Sequence, residues 1–425
     1  MKKQIICLVT LLSLVICSVL AVSAEAGFGS GVAVMAEGTE IVKGAISGSK
    51  VIFSDLDIKQ GLCITDFEKI EITQAPPSSD GTLMLAGRRV GAGTVIKRKN
   101  VGALVFIPSS AELAETAFSF KTDDFGEGCE VRMLIKFTEK VNAAPSTGEE
   151  LAEAGAVVTQ REIRAWGRMT ATDSDSDAIK YMIIKYPTVG ALNVIDENTG
   201  EFVYTPPVGY VGEDSFTYVA RDEWGNFSRP AEVRIAVKER ACETVYADMT
   251  DNPAYNAAVT LTSMGAVDGR LIGGGVYFMP EGTLTRAEFV TMALKCAGVE
   301  VNAEDTDVYF DDADEIAAPM LPYIGAAARL GIITGHFNGD ELLFSPNESI
   351  TRYEAAMILT ALTQDAELGE VEVFCNLDSC PVWAESAVVK MYALGIFEDG
   401  VEVSADEAIS RAECVTYLYN MMNLS

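Results

Sequence analysis

The chain has 425 residues, of which 62 are acidic and 32 basic, and its formal net charge is −30 with an isoelectric point near 4.4. This length allows about three domains of ~100–200 residues each, so a modular protein is expected. The acidity argues against nucleic acid as a partner, because no basic stripe is evident that could neutralise phosphates.

The N-terminal residues 1–26 have the pattern of a secretory signal peptide. Two lysines precede an apolar run from Ile5 to Val22, and small residues close the run. An uncleaved membrane anchor is the alternative, because the run is nearly as long as the ~20 residues that cross a bilayer. The small residues favour cleavage, which predicts a secreted chain with no transmembrane span after signal removal.

From about Val51 to Val237, short runs of alternating apolar residues predict β-strands with one buried face. The pattern occurs twice: VFIPSSAELAETAFSF matches VYTPPVGYVGEDSFTY, and in each copy the phenylalanine comes ten positions after the proline. The first copy carries about eleven extra residues ahead of its proline. We therefore predict two β-sandwiches of about 100 residues, at residues 27–142 and 143–240.

The second β module resembles bacterial Ig-like, cadherin-like repeats over Thr159–Glu239, and the first copy resembles them more loosely. The resemblance implies a spacer or adhesive stalk. Within it, Asp173, Asp175 and Asp177 alternate at strand spacing. They are candidate calcium ligands, since calcium takes six to eight oxygens. A solvated turn rich in Asp and Ser is the alternative interpretation. No other cofactor is expected.

Beyond Cys242 the apolar residues follow a helical period, and one motif occurs three times, as LTRAEFV, ITRYEAA and ISRAECV. Each copy contains a hydroxyl residue followed three positions later by glutamate. This spacing predicts a capping box, in which the two side chains satisfy backbone donors at a helix start. The predicted pairs are Thr285 with Glu288, Thr351 with Glu354, and Ser410 with Glu413.

The capping box does not explain the arginine that each copy carries, at Arg286, Arg352 and Arg411. A cation in the first helical turn opposes the helix dipole, at a cost of up to ~1 kcal/mol. A compensating anion is therefore expected. It is either the carboxylate of a ligand, held by the guanidinium and free backbone N–H groups, or an internal acid in a salt bridge. The first interpretation is favoured.

These motifs resemble the S-layer homology family, with the fullest copies in FDDADEIAAPMLPYIGAAARLGIITG and FCNLDSCPVWAESAVVKMYALGIFEDG. Three successive matches place modules at residues 241–302, 303–368 and 369–425. The resemblance implies a multidomain fold, in which N-terminal all-β Ig-like sandwiches are followed by a mainly α-helical three-module S-layer homology domain. In the family, grooves between modules bind secondary cell-wall polysaccharide that often carries pyruvate ketals.

By this resemblance the three arginines would hold a sugar-linked carboxylate. The other positions that the family implies are Gly269 and Gly335 for close backbone approach, Asp248 and Asp312 for the early acid, and Trp383 for the tryptophan. Prolines occupy the tryptophan position in the first two copies, and Asn376 replaces the acid in the third. We therefore expect unequal grooves, of which one or two are competent.

No catalytic residue is predicted, because the single histidine, His336, lies within the predicted wall-binding modules. The predicted function is that of a non-catalytic surface protein of a bacterium, anchored to the cell wall and able to self-associate in a surface layer. The alternative is a wall-anchored glycan hydrolase with its active site in the N-terminal β region. Its paired carboxylates would be hidden among the 62 acidic residues.

Overall fold

The computed structural model describes residues 40–62, 64–123, 129–147, 157–302, 304, 306–364, 366, 380–397 and 407–424. The predicted signal peptide and Asn376 lie outside these ranges. Among the described residues, no helix has both the length and the apolar character needed to cross a membrane.

The first β module is a sandwich of two sheets. Its elements are β1 (Glu40–Ile46), β2 (Val51–Ile52), α1 (Asp55–Gly61), β3 (Lys69–Gln74), β4 (Gly81–Leu85), β5 (Arg88–Arg89), β6 (Val95–Lys97), a 3₁₀ helix (Arg98–Ala103), β7 (Leu104–Pro108), β8 (Glu115–Thr122) and β9 (Val131–Thr138). One sheet has the order β1-β9-β8-β3-β6, and the other has the order β2-β7-β4-β5. Strands β1 and β9 run parallel.

Strand β8 shows how the sequence pattern builds this core. In ETAFSFKT every second residue is buried, including Phe118 and Phe120. Phe53 meets Phe118 edge to face, with ring centroids 5.3 Å apart. Burying each ring stabilises the fold by ~1.5–3 kcal/mol. The predicted period-two strands of this module are therefore confirmed.

The second β module has the same plan. Its strands are β10 (Val157–Gln160), β11 (Ala165–Arg168), β12 (Ile179–Lys185), β13 (Ala191–Asp196), β14 (Glu201–Thr205), β15 (Gly212–Asp222) and β16 (Ala231–Lys238). They form sheets of the orders β10-β16-β15-β12 and β11-β14-β13. The first strand again pairs in parallel with the last, as in the first module. The shared pairing agrees with a tandem duplication.

The C-terminal region contains helices and two β-hairpins. Its elements are α2 (Tyr255–Ser263), β17 (Arg270–Ile272), β18 (Gly275–Tyr277), α3 (Arg286–Cys296), α4 (Leu321–Arg329), β19 (His336–Asn338), β20 (Glu341–Leu343), α5 (Arg352–Leu362), α6 (Val382–Ala393) and α7 (Arg411–Met422). The order helix, hairpin, helix occurs twice, and two further helices follow. We refer to the two helix–hairpin–helix units as repeats 1 and 2, and to the last two helices as repeat 3. All three contribute to one hydrophobic core.

The second β module packs against this helical region. Ile163 belongs to the helical core rather than to its own sandwich. Beside it, the buried amide of Gln160 donates to Asn256 (3.1 Å) and Thr260 (2.9 Å) on α2 and accepts from the backbone N–H of Ala241 (2.6 Å). Because an unpaired buried amide is costly, this network fixes the orientation of the module on the helices.

Candidate functional site

Helices α3, α5 and α7 begin at the three motif copies, and each begins with a capping box. The cap hydroxyl accepts from the backbone N–H of the glutamate, and the glutamate carboxylate accepts from the N–H of the cap residue. The three return bonds measure 2.8, 2.9 and 2.8 Å. The residues so placed are Thr285, Glu288, Thr351, Glu354, Ser410 and Glu413.

The three helix starts form a closed ring through short backbone bridges. The bridges join Thr285 to Ser349, Thr351 to Ala408, and Thr283 to Ser410. At the centre lie the residues that precede the caps, Leu284, Ile350 and Ile409, whose apolar side chains are buried. Their backbones are linked in turn: the Ile350 N–H donates to Leu284 C=O at 3.0 Å, and the Ile409 N–H donates to Ile350 C=O at 3.1 Å. Repeats 1 and 3, the most distant in sequence, are thus neighbours in the ring.

This ring uses the backbone donors that a ligand was expected to find. The N–H of Arg286 donates to Glu348 C=O at 2.9 Å, and the N–H of Arg411 donates to Gly282 C=O at 2.6 Å. The expectation of free N–H groups beside these two arginines is therefore wrong. The reason is that each helix start packs on the loop of a neighbouring repeat, whose carbonyls cap it.

Two of the three arginines are paired with internal acids. Arg286 forms an ion pair with Glu354, and Arg352 forms one with Glu413, so each contacts the capping glutamate of the next repeat. Arg352 is only 7% exposed and also donates to the Tyr417 hydroxyl at 3.2 Å. Burial alone would lower its pKa, but Tyr417 and Glu413 raise it above its ordinary value. These two guanidiniums help hold the ring together.

Arg411 is different. Its guanidinium donates to the carbonyls of Phe278 (2.9 Å) and Asp268 (3.1 Å) in repeat 1 and lies 4.8 Å from the centre of the Phe278 ring. Among the described residues it forms no ion pair. Burial lowers its pKa, although Glu288 acts in the opposite direction. Arg411 is thus a half-buried cation without a paired anion in this part of the chain.

The two early acids position the aromatic rings beneath the arginines. Asp248 accepts from the N–H groups of Phe278 (2.8 Å) and Met279 (2.7 Å). Asp312 does the same in repeat 2, for Phe344 at 2.9 Å and Ser345 at 2.6 Å. Arg286 lies 5.2 Å from the Phe344 ring centre, just as Arg411 lies over Phe278. The two aspartates therefore hold in place the loops that carry Phe278 and Phe344.

These two phenylalanines were missed from the sequence. A signal was present, because FMPEGTLTR and FSPNESITR place Phe278 and Phe344 at the same distance before the motif arginine. Each ring lies under an arginine from a different repeat, which the spacing alone does not reveal. Repeat 3 has Val403 at this position, outside the described residues.

The two predicted glycines lie against aromatic side chains of their own repeats. A Cβ at Gly269 would collide with the Tyr246 ring. Gly335 has φ +68°, and a Cβ there would lie 2.7 Å from both Leu343 C=O and the Phe310 ring. Internal packing is thus sufficient reason for glycine at both positions.

Trp383 lies at the start of α6, beside Tyr353, the residue that follows the motif arginine Arg352. Its side chain is 58% exposed, and its ring meets the buried Tyr353 ring nearly at a right angle, with centroids 6.2 Å apart. An indole held at one edge and open at its face can stack on a flat apolar surface such as a sugar ring.

The three predicted calcium ligands come together near the junction of the β modules. One carboxylate oxygen from each of Asp173, Asp175 and Asp177 lies within 4.8 Å of the others. One oxygen of Asp173 is buried and makes no hydrogen bond. Asn142, in the segment between the modules, donates to Asp175 (3.4 Å) and to Asp177. Clustered carboxylates with an unpaired buried oxygen fit a hard cation.

Two protein-family models each match a part of this chain. A model of a bacterial Ig domain matches residues 142–236, and a model of the S-layer homology domain matches residues 309–356. The matches identify a bacterial Ig domain in the first of these ranges and an S-layer homology domain in the second. S-layer homology domains bind cell-wall polysaccharide, which implies a bacterial protein attached to the cell wall at the cell surface. The match to the S-layer homology domain covers Phe310, Asp312, Gly335 and the start of α5.

Two curated relatives are similar to parts of the chain. An endoglucanase of Bacillus sp. (strain KSM-635) is 34% identical over 130 residues, which is 29% of this chain and 13% of that protein. Exoglucanase XynX of Acetivibrio thermocellus is 28% identical over 249 residues, 55% of this chain and 21% of that protein. The chain thus spans about a fifth or less of either relative. Both relatives are named as glucanases.

Among solved structures, the fibronectin(III)-like modules of Clostridium thermocellum CbhA match 48% of this chain and 94% of their own, with 13% identity and a TM-score of 0.19. The titin Ig tandem domains A164-A165 match 41% of this chain and 99% of their own, with 9% identity and a TM-score of 0.15. Scores this low carry no argument about the fold, which rests here on the strand pairing.

Proposed function

We propose that residues 241–425 are three S-layer homology modules that anchor the chain to secondary cell-wall polysaccharide, with the two β modules displayed outward as a non-catalytic spacer or adhesive stalk. The observation that supports this is the ring of three helix starts, in which repeats 1 and 3 have the same capping box as the matched repeat 2. Self-association in a surface layer belongs to the same proposal.

Within this anchor, the charge pattern favours Arg411 as the residue that receives a ligand carboxylate, such as a pyruvate ketal. Arg286 and Arg352 would have to exchange an existing carboxylate partner for that of the ligand. Arg411 has no carboxylate partner among the described residues that a ligand would need to displace. Its hydrogen bonds to the carbonyls of Phe278 and Asp268 already fix its orientation. The groove between repeats 3 and 1 is therefore the competent one in this proposal.

Co-sedimentation of the full chain with purified cell wall tests the anchor, before and after chemical removal of the secondary polymer. Arg411→Ala should reduce pelleting about tenfold or more, since a charge-assisted bidentate contact is lost. The matched control is Arg234→Ala, an exposed arginine on the second β module. Failure of the full chain to pellet with intact wall would refute the anchor. Equal pelleting of both variants would refute the assignment of Arg411.

We also propose that Asp173, Asp175 and Asp177 bind calcium near the junction of the β modules. The supporting observation is the buried Asp173 oxygen that no donor satisfies. Calcium should raise the melting temperature of the β modules, and Asp173→Asn should abolish the increase. An equal melting temperature with calcium and with a chelator would contradict this proposal.

A glycan hydrolase is the second candidate function, because the curated relatives are named as glucanases. The matched segments make up only 13% and 21% of those two proteins, which fits accessory modules better than a catalytic domain. Asp222 has its pKa raised by burial, as a general acid requires, yet its oxygens accept from Trp224 and Asn226 in a tight turn. Sustained release of reducing sugar from purified wall by the full chain would favour the enzyme.

A further inference from the structure

Residues 81–111 are a basic segment within an acidic chain. About one residue in seven is acidic overall, yet this stretch of 31 residues contains five cations and no acid. It also includes the extra segment that distinguishes the first β module from the second. Strands β13 and β14 of the second module are joined directly, whereas the equivalent β4 and β7 are separated by β5, β6 and the 3₁₀ helix. The sandwich plan does not require this segment.

The fold gathers the five cations at one border of the sandwich. Strand β5 is the edge of one sheet and β6 is the edge of the other. A short loop joins them, and the 3₁₀ helix leads from β6 back to β7. The N–H of Ala86 donates to Ala103 C=O at 3.1 Å, which holds the β4–β5 turn against the end of that helix. We call this border the basic edge; its cations are Arg88, Arg89, Lys97, Arg98 and Lys99.

Four of these cations are exposed and unpaired. Arg98 forms an ion pair with Asp66, but Arg88, Arg89, Lys97 and Lys99 make no ion pair with any described residue. Lys97 lies directly opposite Lys69 on β3, and both are exposed. Like charges directly opposite each other destabilise a sheet. The arrangement therefore costs stability in the free protein, which an anionic partner would relieve.

Protection of sheet edges does not account for all of these cations. Charged side chains on an edge strand, lysine above all, prevent edge-to-edge pairing. Arg98 and Lys99, however, lie on the 3₁₀ helix rather than on an edge strand, and residues 81–111 contain no acid. The neighbouring strand β3 does carry one, Glu71, opposite the exposed Val95. In a chain with 62 acids, a segment of 31 residues that contains none calls for a different explanation. The earlier expectation that the chain has no basic stripe is wrong here.

We propose that the basic edge binds a linear polyanion, an acidic polysaccharide of the cell surface. A flexible polyanion can follow the edge and pair with its exposed cations, while acids farther away than a Debye length, ~8 Å, are largely screened. A second copy of this chain would bring its own net charge of −30 close to the first. Residues 81–105 contain no aromatic side chain on which nucleic-acid bases could stack. Contacts at this edge are therefore ionic, and they are independent of the proposed anchor.

The test is calorimetric titration of the full chain with polygalacturonate at low salt, with neutral dextran as the control polymer. Changing Arg88, Arg89, Lys97 and Lys99 to alanine should weaken binding about tenfold or more, and raising the salt concentration should weaken wild-type binding similarly. The charge-matched control changes four exposed lysines elsewhere to alanine, Lys121, Lys140, Lys185 and Lys238. It should bind as the wild type does. The single variant Lys97→Glu checks the result with minimal disturbance of folding.

Equal weakening in the two fourfold variants would overturn the proposal, since only net charge would then matter. So would concentration-dependent dimerisation that the basic-edge variant abolishes without any polymer binding, because the partner would then be a second copy. Polygalacturonate binding that persists in Arg411→Ala supports the proposal and separates this site from the anchor. Loss of binding in that variant alone would assign the polymer to the anchor instead.

Discussion

Arg352→Ala should destabilise the helical region by about 2–3 kcal/mol. Removing one partner of a fully buried ion pair costs ~3–5 kcal/mol, because the other charge is left without compensation. Here Arg352 is 7% exposed, but the Glu413 side chain is 33% exposed and keeps its bonds from Ser410. The lower value is therefore expected. For a region of this size the melting temperature should fall by roughly 4–12 °C.

Circular dichroism at 222 nm measures this change, because all described α-helices except the short α1 lie between Tyr255 and Met422. The control is Arg411→Ala, which removes two carbonyl hydrogen bonds and no ion pair, and should lower stability by only about 1 kcal/mol. Equal stability losses in the two variants, or a loss below about 1 kcal/mol for Arg352→Ala, would refute this account of the ring.

Three further predictions concern stability. Burial raises the pKa of Glu413, but hydrogen bonds from Ser410 and the ion pair with Arg352 outweigh this effect and hold the pKa below its ordinary value. The stability that ionised Glu413 gives to the folded protein should be complete at neutral pH and lost as pH falls below ~4. Glu413→Gln should therefore flatten the acid side of the melting-temperature profile. Gly335→Ala should lower the melting temperature more than Gly331→Ala, since both have positive φ but only the first adds a clash. Gln160→Ala should remove three hydrogen bonds of a buried amide to partly exposed partners, cost ~1–3 kcal/mol, and resolve the second β module and helices into separate calorimetric transitions.

The regular elements could be predicted from the sequence because their signals are local. Alternation in β8 and β15 decides which side chains face the core, and the T-x-x-E spacing at Thr285 and Thr351 decides where helices begin. The hairpins β17–β18 and β19–β20 were not predicted. Their strands are three residues long and mostly exposed, so they give no run of alternating apolar residues.

The partners of the arginines could not be predicted, because they come from other repeats. Glu354 and Glu413 were identified as caps of their own helices, and the same carboxylates also pair with Arg286 and Arg352. A capping motif describes one helix end and contains no information about its neighbour. The basic edge was overlooked for a different reason: a net charge sums over the whole chain and hides a local excess of the opposite sign.

The closed ring has a consequence for the order of folding. Its last contacts join repeat 3 to repeat 1, as in the bond from Arg411 to Phe278 across 133 residues of sequence. Contacts between residues so distant in sequence form late and slow the folding of a chain. The ring therefore closes only after repeat 3 has been made, and the repeats made earlier remain incomplete until then.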